Sequence, residues 1–411
     1  MKNWIIGYCT NVHTGTSTED IIENLSSYSG EVRDQLARPT LPVGLWIPHE
    51  AAASWRKDVS PLKQTLVDHA LTAYTINAFP WTNFHGDVVK RDVYQPPWWD
   101  ERRADYTLAV AEILAALMDE NLSGETDASD AVGSISTLPL GWRGGGSSSA
   151  MAAAGRALQD DVDRAASNLR RVADGLRRLE SKTGRRITLA IEPEPGCLLD
   201  HSEQVVELFG RELTENHHRR HLSVCHDVCH GAVMGQSQRE ILSAYKRAGI
   251  EVGKLQVSSG IVARWDTMAH PRRIEAAKEL SKFAEDRYLH QTGRQSNRQD
   301  SAGDGFQLAE DLPDLLSGGD DPSRDDDRWV VHFHVPIFLD RFGHLATTQG
   351  DIIEALAAVG GDVPDLQFTG HVEVETYAWS VLPPDMRRRK LTEDIADEFR
   401  WLDRTLSMLF R

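Results

Sequence analysis

Short β-branched runs separated by stretches of helical period repeat along nearly the whole chain. Strands are expected near residues 4 to 12, 42 to 47, 73 to 79, 134 to 139, 187 to 192, 222 to 227, 252 to 258, 330 to 335 and 371 to 376. Helical patterns fill the intervals: one starts near Glu19 behind a Ser17 or Thr18 cap, and others run at about 49 to 70, 101 to 118, 150 to 182, 202 to 215, 237 to 248, 348 to 359 and 392 to 410. Strands alternating with helices imply a mainly parallel sheet with helices outside, so the expected class is α/β, a (β/α)8 TIM barrel. Eight strands close such a barrel and one is left over. Segment 329 to 338 lies between polar insertions and is expected to form an extra hairpin, paired with Tyr288 to Gln291. An open doubly wound sheet is the alternative, but no glycine fingerprint follows the first strand.

The interruptions divide into two kinds. Pro80 to Asp100 lacks helical period but is rich in aromatics, which argues for an ordered cap over a site. Stretches of Asp, Gly, Ser and Gln at about 121–131, 141–150 and 294–328 are expected to be flexible insertions in one domain spanning 1–411. The glycine run Gly141 to Ser149 resembles a phosphate cradle only loosely, because the Walker lysine is missing.

Side chains alternate across a strand, so parity tests whether polar residues share a face. In 187 to 192, Ile187, Leu189 and Ile191 oppose Thr188, Ala190 and Glu192. In 222 to 228, Leu222, Val224, His226 and Val228 oppose Ser223, Cys225 and Asp227. In 371 to 376, Val372, Val374 and Thr376 oppose His371, Glu373 and Glu375, and in 329 to 335 His332 and His334 fall opposite Trp329, Val331, Phe333 and Val335. With the apolar faces against the helices, Glu192, Asp227, His334 and Glu375 gather at the C-terminal mouth, where barrel enzymes keep their chemistry. Converging carboxylates repel one another and call for protons or a cation. Three carboxylates with one or two imidazoles suit Mn, Mg, Co or Zn. Glu194, Glu373, His332 and His371 are expected one layer away.

Composition narrows the function. A formal charge of -17 opposes binding to nucleic acid, whose affinity is dominated by phosphate neutralisation. Four cysteines, Cys9, Cys197, Cys225 and Cys229, form no disulfide framework, and no second pair completes a zinc site with Cys225 and Cys229. No apolar stretch reaches the roughly 20 residues of a transmembrane helix, and the first apolar run is too short for a signal peptide. A cytoplasmic location is therefore the expectation.

The segments Ile-Glu-Pro-Glu-Pro-Gly (191–196), Asp-Val-Cys-His (227–230), His-Phe-His-Val-Pro (332–336) and Glu-Val-Glu-Thr-Tyr (373–377) resemble those of xylose isomerase-like TIM barrels, the superfamily of sugar isomerases, epimerases and endonuclease IV. Adding Tyr-Cys-Thr-Asn-Val-His (8–13), Thr-Ile-Asn-Ala-Phe-Pro (75–80) and Phe-His-Gly (84–86), the chain most resembles the EboE family, labelled metabolite traffic proteins of a bacterial operon. The resemblance implies one divalent ion held by Glu, Asp, His and Glu from late strands. Glu192, Asp227 with His230, and Glu375 match those positions. Gln256 stands where the ligand histidine is expected, and His334 is the candidate to reach in instead. Small-molecule metabolites and operon-encoded proteins are the partners so implied.

On this reading the ion binds the carbonyl and hydroxyl of a sugar-like substrate and stabilises the enediolate formed when a carboxylate removes the α-proton. Glu192 and Glu375 are the candidate proton carriers, with His230 steering a substrate oxygen. Asn11, His13, Asn77, His85 and Lys254 are the candidate substrate contacts. A non-catalytic metabolite-binding protein is the rival. A metal-dependent phosphoesterase would want more histidines and a basic groove.

Overall fold

The computed structural model describes residues 4–118, 132–143, 151–296, 305–317, 327–387 and 389–411. Strands β1 to β7 are Ile5–Cys9, Leu41–Trp46, Leu71–Asn77, Val132–Thr137, Arg186–Ile191, Leu222–Asp227 and Val252–Val257. Six short strands follow, β8 to β13, at Ile261–Arg264, Thr292–Gln295, Phe306–Ala309, Arg328–Val331, Arg341–Phe342 and Leu345–Thr347, and β14 is His371–Val374. Strands β1 to β7 and β14 form a closed barrel in the order β1-β14-β7-β6-β5-β4-β3-β2. Every neighbouring pair in it is parallel.

Local chemistry sets the elements. Ser17 caps the first helix, Thr18–Asn24, accepting from the Asp20 amide in a capping box. Ile187, Leu189 and Ile191 are fully buried between the sheet and the surrounding helices, as their parity requires. The long helix Met151–Thr183 buries Ala165, Leu169, Val172 and Leu176 at helical spacing.

The extra segment is larger than the expected hairpin. Between β7 and β14 the chain leaves the barrel and builds a second sheet in the order β10-β9-β11-β8-β13-β12, antiparallel throughout. Residues 328 to 331 pair with Ile261–Arg264 and with Thr292–Gln295, and the expected pairing with Tyr288 to Gln291 is met only where His332 N bonds Gln291 O at 2.9 Å. The register follows from burial: Trp329 and Val331 turn into a separate apolar cluster with Ile261, Ala263, Trp265 and Phe283. The Trp265 and Trp329 rings meet edge to face at 5.7 Å. Arg294 and Gln295, expected in an insertion, thus belong to β9, and Phe306–Ala309 and Leu312–Ser317 form a strand and a helix. Residues 121–131, 144–150, 297–304 and 318–326 of the expected insertions lie outside the described residues. Trp142, next to the glycine run, bridges to Cys197.

The barrel interior is polar, and its side chains lie in layers. His371, Glu373 and Glu375 climb one face of β14. His371 Nδ1 meets Ser134 Oγ at 2.8 Å, and Glu373 forms an ion pair with Lys254 from β7 in which neither side chain is exposed. Lys254 also donates to Ser136 Oγ at 3.0 Å. Gly44 makes room for this layer, since a Cβ there would stand 1.4 Å from Glu373 Oε1. An ion pair sealed in a barrel contributes little net stability, but losing one partner strands a buried charge. Glu373→Leu is expected to cost ~3–5 kcal/mol in urea unfolding, and adding Lys254→Met to recover most of it. A double variant no more stable than the single would contradict this account.

Candidate functional site

Above the ion-pair layer the strand ends bring Glu192, Asp227, Gln256 and Glu375 together, each buried. Glu192 follows β5, and its amide bonds Thr137 O at 2.9 Å, which continues the β4 to β5 ladder by one residue. Asp227 ends β6 and caps the short helix Val228–Val233, Oδ1 accepting from His230 N at 3.1 Å and from Ser258 Oγ at 2.7 Å. Gln256 lies two residues above Lys254 on the same face of β7. Its Nε2 donates to Glu375 Oε2, to Glu192 Oε1 at 3.2 Å and to Asp227 Oδ2 at 3.5 Å, while its Oε1 accepts from the Cys225 thiol at 2.7 Å. One neutral amide thus serves three carboxyl groups.

Their protonation preferences diverge. Burial, then the charges of Glu375 and Asp227, pushes the Glu192 carboxyl well above the usual range. Burial, then Asp227, raises Glu375 to about 8. Asp227 is also pushed up by burial, but the His230 ring, the Ser258 hydroxyl and the His230 amide outweigh this and hold it below its ordinary value. The site therefore keeps one carboxylate ionised beside two that retain protons, an arrangement suited to acid–base work.

The inserted segment supplies the facing wall. His334 is 1% exposed, its Nδ1 lies 3.1 Å from Glu375 O, and its Nε2, without a hydrogen-bond partner, stands 3.9 Å from Asp227 Oδ2. His230 Nδ1 lies 2.8 Å from Pro193 O. Burial lowers His334 to about 4, and burial followed by the neighbouring imidazoles lowers His332 further, so both rings are neutral near pH 7. Glu192, Asp227 and His230, and likewise Asp227, His334 and Glu375, each bring one donor atom within 4.8 Å of one another. Buried, partly unsatisfied oxygen and imidazole donors at this spacing fit a divalent ion.

The other expected residues divide. Asn11 and Asn77 line the pocket and donate to Glu375 Oε1 at 2.6 and 3.3 Å. His85 stands behind Asn11, Nε2 2.7 Å from its carbonyl oxygen. His13, expected to touch substrate, is buried against Tyr8 Oη at 3.0 Å and stacks on Tyr28 instead. Lys254, expected likewise, lies one layer down, enclosed by Glu373 and Ser136. His226 turns away to Gln238, at 2.8 Å. Glu373 and His371 are second and third layer, whereas Glu194 and His332 line the pocket itself. The Pro80 to Asp100 loop contributes Phe84, Val93 and Tyr94 to the lining and is fastened to the inserted lobe by Val89 N to Arg287 O at 2.7 Å and by the Lys90–Asp311 pair.

Sequence reasoning missed Glu398. Its Oε1 accepts from Ile337 N at 3.1 Å and Thr376 Oγ1 at 2.6 Å, so the closing helix Leu391–Leu409 ties the His334 segment to the end of β14. The only signal was an acid among the apolar positions of an amphipathic helix.

No protein-family model and no curated protein matches the chain. Among solved structures, it is similar to a xylose isomerase-like TIM barrel protein from Mycobacterium smegmatis in complex with magnesium, at 10% identity over 100% of this chain and 98% of that one, TM-score 0.50. An IolI protein with a bound zinc atom aligns over 98% of this chain and 99% of its own at 10% identity, TM-score 0.48. An L-ribulose 3-epimerase aligns over 98% and 95% at 12% identity, TM-score 0.45. The fold is that of the xylose isomerase-like TIM barrels. Among the described residues, no helix is long and apolar enough to cross a membrane.

Burial raises Glu398 to about 8 from an ordinary value of 4.5, against the bonds from Thr376 and Ile337. A carboxyl raised in the fold stabilises fully below its unfolded value and loses that contribution as pH climbs to the folded one. Glu398→Gln, fixed neutral, is therefore expected to flatten the fall in urea midpoint between pH ~5 and ~8. A slope equal to that of the wild type would count against it.

Proposed function

We propose that the chain is a sugar isomerase- or epimerase-like barrel with a divalent-metal site at Glu192, Asp227, Gln256, His334 and Glu375, acting on a small hydroxy-carbonyl metabolite by enediolate chemistry. The observation that carries this reading is the meeting of three buried carboxyl groups, held in different protonation states, around one amide. The magnesium bound by the xylose isomerase-like protein of similar fold agrees with it.

When bound, a divalent ion would supply Lewis acidity to a carbonyl and adjacent hydroxyl. Asp227, already ionised, is the anchoring carboxylate. Glu375, near its titration point at neutral pH, is the group best placed to take up and return a proton, with Glu192 as its counterpart. Asn11 and Asn77 hold Glu375 Oε1 and leave its other oxygen to the centre of the site. His230, fixed through Nδ1, steers a substrate oxygen. Phe84 and Tyr377 close the apolar side of the pocket against water.

The second reading is a non-catalytic metabolite-binding protein of the EboE type, located in the cytoplasm and served by operon-encoded partners. Gln256 favours it: the amide nitrogen, not an imidazole, occupies the space between the carboxyl groups. As a ligand Gln256 would have to turn its oxygen inward and give up the Cys225 thiol.

Metal analysis tests the site. Wild-type protein exposed to Mn or Zn is expected to retain a stoichiometric ion that Glu192→Gln/Glu375→Gln loses, and a metal-free wild type would sink the proposal. Given a bound ion, wash-in of solvent deuterium at the carbon next to a substrate carbonyl would mark an isomerase, and its absence across hydroxy-aldehydes and hydroxy-ketones a carrier. Because Glu375 must surrender its proton, cation affinity should rise with pH up to about 8, with proton release visible calorimetrically. Gln256→His is expected to tighten cation binding about tenfold, ~1.4 kcal/mol; an unchanged affinity would argue that residue 256 does not reach the ion.

A further inference from the structure

We propose that the pocket selects a hydroxy-carbonyl compound whose body is an uncharged hydrocarbon ring, and that Phe84, Tyr288 and Tyr377 choose it over phosphorylated and fully hydroxylated chains. The hydroxy-carbonyl head rests on the function proposed above. The body rests on the wall that stands over the carboxyl groups. The space not filled by atoms is about 570 Å³, open solvent at its entrance included, which leaves room beyond the reacting carbons.

Polar and apolar lining groups are segregated. Asn11, Asn77, Glu192 and Glu375 come from the ends of barrel strands, whereas the Pro80 to Asp100 loop and the inserted lobe add Phe84, Val93, Tyr288 and Leu289, and Tyr377 follows β14. Phe84 and Tyr288 are each 5% exposed. The ring centroids of Phe84 lie 5.9 Å from those of Tyr288 and of Tyr377, and the two tyrosines are 5.1 Å apart, so the three form one aromatic shelf. The Tyr288 hydroxyl is spent on His85 Nδ1, 3.4 Å away, behind Asn11. A chain with a hydroxyl on every carbon would lay several of them on this carbon surface without a partner, which is costly. A ring of C–H groups would stack there instead.

An apolar lining is ordinary for a small-molecule pocket; what excludes a phosphate is that every group able to hold one is already engaged. Lys90 is the one lysine or arginine among the described lining residues, and its ammonium group pairs with Asp311, which is 5% exposed and also accepts from His290 N at 3.1 Å. The amides of Val89 and Lys90 could cradle an anion, but both donate to Arg287 O, at 2.7 and 2.9 Å. A divalent ion held by the carboxyl groups would be taken up by the head. The buried lining atoms without a partner point the same way: Asn11 Oδ1 can only accept, and Glu194 Oε2 is left over once Oε1 has taken the Tyr94 hydroxyl at 2.7 Å. Hydroxyl groups of the head, which donate as well as accept, satisfy both, whereas a group that only accepts would be refused by Asn11.

The test keeps the head and changes the body. α-Hydroxyacetophenone, dihydroxyacetone and dihydroxyacetone phosphate carry the same hydroxymethyl ketone on a phenyl ring, a second hydroxymethyl group and a phosphate ester. Each is titrated calorimetrically into the full chain, with and without Mn2+. The phenyl ketone is expected to bind about tenfold tighter than dihydroxyacetone, and the phosphate no tighter than dihydroxyacetone. Tyr288→Ser is expected to cut the phenyl advantage about threefold, and Lys90→Met to leave the affinity for the phosphate unchanged. Should Tyr288→Ser fail to fold, the wild-type ranking decides alone. A phosphate that binds tightest, or that loses affinity in Lys90→Met, would overturn the inference, as would three bodies bound alike or none bound. Failure of the proposed function reads differently: the ranking holds, but no solvent deuterium enters the CH2 group of the bound phenyl ketone.

Discussion

Carboxyl groups that cannot all be charged at once govern the architecture of the barrel mouth. Glu192, Asp227 and Glu375 are driven together by three strands whose register leaves them no other direction to point. The surroundings answer that repulsion at each position: hydrogen bonds to Asp227 from Ser258 and the helix amide, protons retained on the two glutamates, and the Gln256 amide between all three. One layer lower the same difficulty is met by pairing, Lys254 against Glu373, with Gly44 yielding the space. Pairing makes most of this polar interior tolerable, while Asn11 Oδ1, Glu194 Oε2 and His334 Nε2 at the mouth are buried without a hydrogen-bond partner.

The inserted sheet gives this mouth its second wall. It has an apolar core of its own, around Trp265, Trp329 and Phe333, so the histidines it presents rest on packed structure rather than on a free loop. Val335 N to Ser259 O seats the segment on the chain leaving β7, and His332 N to Gln291 O extends its pairing with β9 inside the lobe, each at 2.9 Å. Glu398 then clasps Ile337 and Thr376 from the closing helix. Acidic groups from the strands and imidazoles from the lobe thereby face one another across a narrow buried gap.

Parity made much of this legible from the residues. The faces assigned to β5, β6 and β14 are the faces observed, and the placement of Glu192, Asp227 and Glu375 at one end follows from them. What parity does not carry is height. Lys254, expected to touch substrate, sits one layer below the site, because depth in a barrel depends on the stagger between strands, which no single strand encodes. His13 and His85 stand behind the pocket lining for a related reason: they lie beyond strand ends, where local turns set direction. The second sheet was seen only as a surplus strand. Its members are four residues or fewer, too short to show a period, and the pairings of β8 with β11 and β13 and of β9 with β11 join residues tens of positions apart. Gln256 was noticed only through a family likeness, and its actual role, an amide shared among three acids, depends on contacts that sequence order does not reveal.

The pairing of β14 with β1 joins residues 5–8 to residues 371–374. Contacts of such separation are the slowest to form and the last available to a growing chain. Until that final strand docks, the barrel has an open edge, Glu375 is far from Asp227, and Lys254 has no counter-ion. The costly charges therefore come together only at closure, when the ladder that holds them is completed in the same step. A nascent or partly unfolded chain is spared the electrostatic burden of its own site and lacks any ability to capture ions there.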